Sequence, residues 1–484
     1  MNKRPNIVYI FADQLRYDAL GCTGSPVAKT PNIDRFAGQG TSLSNAIVNT
    51  PVCTAHRASL MTGKYTTSHG MVINELRIHP NQRCLGHVLT DAGYATAYIG
   101  KWHLYANELG YHYEARNSFV PRGPHRLGFD GEWKAYNFHH DNYSPPAYFH
   151  EETPEKIEYA PDTYEPTVQT DYAIDFIKRR TKSDDGRPFS LVLSYGPPHD
   201  PWEPDNVPKA YWDMFEGMEF PNPPNYRAAN DEPYADNWAK LSVDDREQLG
   251  RWRRGYHAQV ASIDDEIGRI LGAIDEMGLF DDTIIVFTSD HGEMFGAQGR
   301  RAKLIFYDEA ARVPYLLRWP GKIAAGSQQD LCFGSVDILP TLCGLASMPP
   351  PDGIEGNDLS EVLLGQAPIP EDNAVLLQGC GATAAWEDGH EWRALRDKTF
   401  TYAVYKIDGK EFLFNNETDP FQMHNLADDG QFDSIKTRMK AALWDRMDAI
   451  NDEFQLSSWY RDNWTDQNRK IVRSATCEFG PPPD

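Results

Sequence analysis

The chain lacks a cysteine framework. Its seven cysteines, an odd number, are scattered at positions 22, 53, 84, 332, 343, 380 and 477, and no two form a CxxC pair. This excludes a disulfide-stapled scaffold and a zinc knuckle, and fits a reducing compartment. Long apolar runs are missing too. In MNKRPNIVYIFADQ the apolar stretch is only about six residues long before it meets Asp13, too short for a secretion-signal core or a membrane span. The expected location is therefore cytoplasmic. Positive charge is also scarce: 47 Lys and Arg stand against 70 Asp and Glu, a formal charge of -23. No generally basic surface for nucleic acid exists, and no membrane partner is expected. A small anionic substrate stays compatible, because a few local cations and a metal outweigh the global field. Repeats and low-complexity tracts are absent as well.

What is present is ordinary soluble composition, 40% hydrophobic and 24% charged, in 484 residues. That is long enough for a large domain plus a smaller one. Strand and helix patterns alternate. A strand over 6–11 runs into Asp13-Gln14, and a helix from CLGHVLTDAG leads to a strand over 95–99 and then GKWHL. An amphipathic helix carrying Tyr172, Ile174, Phe176 and Ile177 precedes FSLVLSY and PPHDPW. A long helix with Val260, Ile263, Ile267, Ile270, Leu271 and Ile274 on one face precedes TIIVFTSDHGE. Short β-branched strands alternating with helices predict an α/β domain over residues 1–370, built on a large, mostly parallel sheet flanked by helices. Residues 371–484 predict a smaller α+β domain of antiparallel strands, with a hairpin turn at Asp408-Gly409 and a helix over 434–451. The aromatic-rich stretches 104–166 and 201–239 are expected to be loops that wall a pocket, offering Trp133, Tyr136, His139, His140, Tyr143 and Trp202. The C-terminal tail, with Trp459, Tyr460 and Trp464, suits a homo-oligomer contact or an intrachain strap.

The polar clusters all follow strands, on the edge where open α/β sheets bind ligands. Asp13-Gln14 and Asp290-His291 would offer two carboxylates, an amide oxygen and an imidazole to one divalent cation. Ca²⁺ or Mg²⁺ prefers such oxygen donors, and the imidazole would also suit Mn²⁺. Capping of following helices is the plainer use of the same aspartates. Lys101 and His103, two apart, would point to one side of an extended chain. With His199 after its strand and Lys303 in a loop-like segment, they suggest an anion pocket. In NTPVCTAHRASLMTG, a helix starting near Cys53 would place Arg57 one turn on, with the thiol at the positive helix end, where thiol pKa values fall. A reactive and a structural cysteine fit this equally well.

CTAHRASLMTG resembles the signature of the type I sulfatases of the alkaline phosphatase superfamily: Cys, any residue, Pro or Ala, any residue, Arg, then Thr-Gly. PNIVYIFADQ, GKWHL, PPHDPW, TSDHGE, KLIFYDEAARVPYLLRWPG and LFNNETDPFQMHNLA resemble further family motifs, in order, along nearly the whole chain. The Asp-Gln and Asp-His pairs are similar to those of the arylsulfatase, choline sulfatase and phosphonate monoester hydrolase branch. The resemblance implies that Cys53 is oxidised to formylglycine by a formylglycine-generating enzyme. It further implies that Asp13, Gln14, residue 53, Asp290 and His291 surround a divalent metal, and that Arg57, Lys101, His103, His199 and Lys303 are catalytic. The implied reaction is hydrolysis of a small anionic sulfate ester. Phosphonate or phosphodiester hydrolysis is the alternative, and a catalytically silent sulfate- or glycan-binding relative a more distant one.

Overall fold

The computed structural model describes residues 4–106, 114–230, 234, 239–381 and 386–480. Among them, one sheet of 8 strands organises the larger part of the chain. Its strands are β1 (Asn6–Ala12), β2 (Thr41–Ile47), β3 (Ala95–Lys101), β4 (Glu132–Tyr136), β5 (Phe189–Tyr195), β6 (Thr283–Ser289), β7 (Tyr315–Arg318) and β8 (Ser327–Gly334). They lie in the order β8-β2-β7-β6-β1-β5-β3-β4. Only β7 runs against its neighbours β2 and β6; the other pairings are parallel.

Every residue of β1, β5 and β6 is buried, which is why these strands read as continuous apolar runs rather than as alternation. Successive side chains still alternate between two cores. Ile7, Tyr9 and Phe11 join Leu60, Met61, Leu339 and Leu342 on one face. Val8, Ile10 and Ala12 meet the helices Pro31–Gln39, Glu165–Thr181 and Val243–Glu276 on the other. The last of these, 34 residues long, begins in a capping box: Ser242 Oγ accepts from Asp245 N at 3.1 Å, and Asp245 returns a carboxylate to Ser242 N at 2.8 Å. The apolar positions read from the sequence, Val260 through Ile274, are the ones this helix buries.

A second, antiparallel sheet comprises β9 (Ala374–Gly379), β10 (Trp392–Asp397), β11 (Phe400–Tyr405) and β12 (Glu411–Asn415). The helix Asp433–Ala449 packs on it through Met439, Leu443 and Met447. The tail is an intrachain strap. Tyr460 and Trp464 sit in the main core, Arg393 donates to the Tyr460 hydroxyl at 3.1 Å, and Ala475 N donates to Thr67 O at 2.9 Å.

The stretch 104–166 departs from the loop expectation. Part of it is β4, an edge strand of the main sheet, so Trp133 and Tyr136 are core residues. Trp133 packs with Tyr98 and Trp102, while Tyr136 stacks on His139 with ring centroids 3.6 Å apart. Tyr143 packs with Tyr164. The β-propensity of EWKAY was masked by the surrounding Gly, His and Pro. Residues 107–113, 231–233 and 235–238 of the two expected pocket walls lie outside the described residues.

Candidate active site

β1, β3, β5 and β6 all deliver their C-terminal ends to one edge. Asp13 N continues the ladder to Tyr195 O at 3.2 Å, and Asp290 N to Ala12 O at 3.3 Å, so both carboxylates are fixed by strand geometry and not by helix capping. The short helices that follow Asp13, Tyr17–Ala19 and Gly21–Thr23, take Arg16 and Leu20 as their N-cap residues. Asp13, Cys53, Asp290 and His291 are all buried, and each offers a ligand atom within 4.8 Å of the others. His291 Nδ1 lies 2.9 Å from Gly292 O, to which it donates, so Nε2 keeps its lone pair toward the cluster, 3.5 Å from both carboxylates. Burial pushes this imidazole down to about 4, hence neutral. Burial opposes ionisation of Asp13, but Lys101, His199, Arg57 and Lys303 hold it well below the usual carboxylate range.

This donor set fits a divalent cation. Hard oxygens and one imidazole lone pair converge, and they already gather a cationic group: the Lys303 ammonium touches Gln14 Oε1 at 3.0 Å and His291 Nε2 at 2.9 Å. Gln14 thus presents its amide oxygen to the same point as the other expected ligands. It does so from a left-handed backbone, φ 68°.

Cys53 opens the helix Cys53–Thr62, every residue of which is buried. Its Sγ lies 3.1 Å from His291 Nε2, 3.2 Å from Lys303 Nζ and 3.7 Å from Asp13 Oδ1. The helix position does not lower the thiol pKa as expected. Burial, with Asp13 next, pushes it up to about 11, overriding the helix end and Lys303. An unmodified Cys53 is therefore a protonated thiol and a poor nucleophile. Arg57 does fall on the same helix face. Its Nη2 donates to Asp13 and Asp290 at 3.1 and 3.0 Å, and its Nη1 to Lys101 O and Ser194 Oγ at 2.7 and 2.8 Å. One guanidinium thus ties four strand ends together while neutralising the two carboxylates. His56 faces away from the site and pairs through Nδ1 with Ser335 Oγ at 2.8 Å, giving that position a structural role. Gly63, φ 65°, ends the helix in the left-handed turn that the Thr-Gly of the motif requires.

Lys101 is fully enclosed and donates to Asp13 Oδ2 at 2.7 Å. The extended geometry expected for the Lys101–His103 pair ends at Lys101, because His103 has φ 55°. That turn places His103 in the wall of a cleft of about 370 Å³, which Gln14, Cys53, His199 and Lys303 also line. His199 Nε2 lies 3.1 Å from Lys303 Nζ, while its Nδ1 lies 3.0 Å from Asp200 O. Burial keeps His103 and His199 well below the ordinary imidazole value, with Lys101 the next cause for the first and His140 for the second. Lys303 sits between Ala302 at φ 60° and Leu304 at φ 69°, two non-glycine residues in the left-handed region. That backbone explains why its segment did not read as a strand.

All the expected site residues therefore meet at one place. Of the aromatic wall residues proposed from sequence, His140 and Trp202 reach the cleft, joined by Phe138, Trp252 and Phe295. Glu293, buried beside Gln14, and Asn74 went unrecognised. Glu293 closes the TSDHGE motif and was legible there; nothing in the sequence around Asn74 distinguishes it.

Comparison with known proteins agrees with this geometry. A family model described as Sulfatase matches residues 5–348, and one described as N-sulphoglucosamine sulphohydrolase, C-terminal, matches residues 296–449. The chain is 36% identical over 461 residues to an ulvan-active sulfatase of Formosa agariphila, covering 94% of this chain and 84% of that protein. It is 30% identical to an arylsulfatase of Clostridium perfringens, covering 89% and 91%. The crystal structure of a putative sulfatase from Bacteroides fragilis superposes with a TM-score of 0.80 at 30% identity, covering 95% of this chain and 98% of that one.

Proposed function

Because the chain belongs to the sulfatase family of sulfuric ester hydrolases, we propose that it cleaves an aryl, carbohydrate or small alkyl sulfate ester to alcohol and sulfate, using formylglycine made from Cys53 and one divalent metal. The observation that carries this reading is the buried convergence of Asp13, Asp290, His291 and Cys53 within 4.8 Å, with Lys303 against the sulfur.

Asp13, Gln14, Asp290 and His291 would hold the cation, Ca²⁺ before Mn²⁺ or Mg²⁺, which supplies Lewis-acid activation of an oxygen nucleophile beside it. Cys53, once converted to formylglycine, would supply that oxygen as an aldehyde hydrate, with a second hydroxyl available for sulfate release. Arg57 holds the Asp13 and Asp290 carboxylates aligned, and Lys101 adds a second contact at Asp13. His199 and Lys303, 3.1 Å apart at the cleft floor, are placed to bind sulfuryl oxygens, and one of them protonates the leaving alcohol. His103, held neutral and with no hydrogen-bond partner at Nδ1 among the described residues, is the base for the release step.

Peptide mass spectrometry across residues 52–57, on protein made with a formylglycine-generating enzyme, should show the thiol-to-aldehyde mass loss at Cys53. An intact thiol in that host removes the mechanism and favours a silent binding protein. Gln14 and His291, in place of the commoner Asp and Asn, favour a second reading: hydrolysis of phosphonate monoesters or phosphodiesters. Measuring kcat/KM for matched aryl sulfate, phosphonate monoester and phosphodiester separates the two, and a clear phosphonate preference overturns the sulfatase assignment.

A further inference from the structure

Gln14 poses a problem that its carboxylate-bearing neighbours do not. A side-chain amide has an oxygen end and an NH₂ end of nearly equal size, and only the oxygen end can face a cation. Nothing intrinsic to glutamine selects between them. Here the choice is made by Glu293, which lies outside the expected catalytic and metal-binding set. Glu293 is 1% exposed and sits under Gln14. Its Oε2 accepts from Gln14 Nε2 at 2.8 Å, and its Oε1 accepts from the backbone N–H groups of Ala302 at 2.7 Å and Phe295 at 3.1 Å. All three contacts are donors to an acceptor-only carboxylate. Gln14 must therefore give Glu293 its NH₂, and its oxygen is left toward Lys303 Nζ at 3.0 Å. The same carboxylate also holds the N–H of the residue before Lys303, at φ 60°.

We infer that Glu293 is a positioning residue that sets the polarity of the Gln14 amide and anchors the Lys303 turn, so that one buried carboxylate aims a metal ligand and a catalytic ammonium together. Resting on the metal reading above, this explains a buried acidic group that touches neither of the expected metal-binding carboxylates. Its two oxygens reach separate parts of the site, Gln14 after β1 and the turn before Lys303. Loss of such an outer partner costs about 10–100-fold in metal affinity or activity.

The inference makes a reciprocal prediction. In Glu293→Gln the new amide can still accept from Ala302 and Phe295, but its NH₂ then opposes the NH₂ of Gln14. One amide must turn, and turning Gln14 puts a donor toward the metal. In Gln14→Glu two carboxylates oppose one another in a buried space. In the double variant Gln14→Glu/Glu293→Gln, donor and acceptor are exchanged and the pair is complementary again, with an oxygen still facing Lys303.

The test is calcium titration of chelator-treated protein followed by thermal unfolding and calorimetry, with aryl sulfatase kcat/KM measured in parallel. Both single variants should bind Ca²⁺ about 10–100-fold more weakly than wild type. The double variant should recover most of that loss. A purely structural role for Glu293 would leave the double variant at least as impaired as the worse single one, and that outcome overturns the inference. Unchanged affinity in Glu293→Gln overturns it too. Glu293→Ala, which leaves room for water at the vacated carboxylate, should fall with Glu293→Gln and show no rescue by Gln14→Glu. If wild type itself shows no divalent-ion response, the metal reading fails, a result distinct from failure of the Glu293 assignment.

Discussion

Replacing Arg57 with methionine removes the group that joins the site's charges while keeping most of its packing volume. The structure says which partner suffers. Asp13 keeps Lys101 at 2.7 Å, but Asp290 loses its 3.0 Å contact and, among the described residues, keeps the Gln14 backbone N–H at 3.0 Å and the neutral His291 imidazole at 3.5 Å, neither of them a cation. Both carboxylates are wholly buried. Breaking a buried ion pair from one side costs about 3–5 kcal/mol, because the remaining charge is left uncompensated in a low dielectric. With unfolding entropy near 2.1 cal/mol/K per residue, a chain of this size should lose about 3–5 °C in Tm. A divalent cation at the same carboxylates would take over part of the lost charge compensation. The penalty in chelator should therefore exceed the penalty at saturating Ca²⁺. Arg57→Lys, which keeps the charge but cannot reach four acceptors at once, should fall between. Differential scanning calorimetry of the three proteins with and without Ca²⁺ decides the matter. A loss below about 1 kcal/mol, the range of exposed pairs, or an equal loss in both conditions, would refute the reasoning that Arg57 acts through the two carboxylates.

His56 is buried and held down to about 3, chiefly by burial, so the unfolded chain binds its proton at a pH where the native one does not. Stability contributed by the neutral ring is present above pH 6.5 and declines as pH falls, by about 2 kcal/mol at pH 5; in denaturant titrations at pH 7.5 and 5, His56→Gln should lack that share of the acid sensitivity. Gly63→Ala forces a Cβ into a left-handed turn 3.2 Å from Ile354 Cγ1, and should cost about 1–2 kcal/mol by urea unfolding while leaving aryl sulfatase kcat nearly unchanged. Trp252 lines the cleft together with Trp202, Leu249 and Phe295. Trp252→Ala should raise KM for aryl sulfates about tenfold with a smaller change in kcat, an aromatic contact being worth about 1 kcal/mol or more; a fall in kcat alone would place Trp252 in the chemistry instead.

The family, the αβ alternation and the candidate residues that converge at the sheet edge were legible in the sequence because each leaves a local trace. Buried parallel strands read as short β-branched runs, and each is followed at once by its polar residues, so Asp13, Lys101, His199 and Asp290 could be named before any of them was placed. Distances between them could not be read, since the strand order β8-β2-β7-β6-β1-β5-β3-β4 is a property of the whole sheet. Three outcomes needed the tertiary structure. The Cys53 thiol goes up to about 11 because burial outweighs the helix end, and the depth of burial is not written in CTAHR. Arg57 spends its donors on Asp13, Asp290, Lys101 and Ser194, partners up to 233 positions away in the chain. The tilt of one amide, Gln14, is decided by a carboxylate 279 positions later. Sequence determines which groups are available at the sheet edge; only packing decides which are neutral, which are paired and which way an ambiguous side chain points, because those depend on dielectric and on neighbours brought together by the fold.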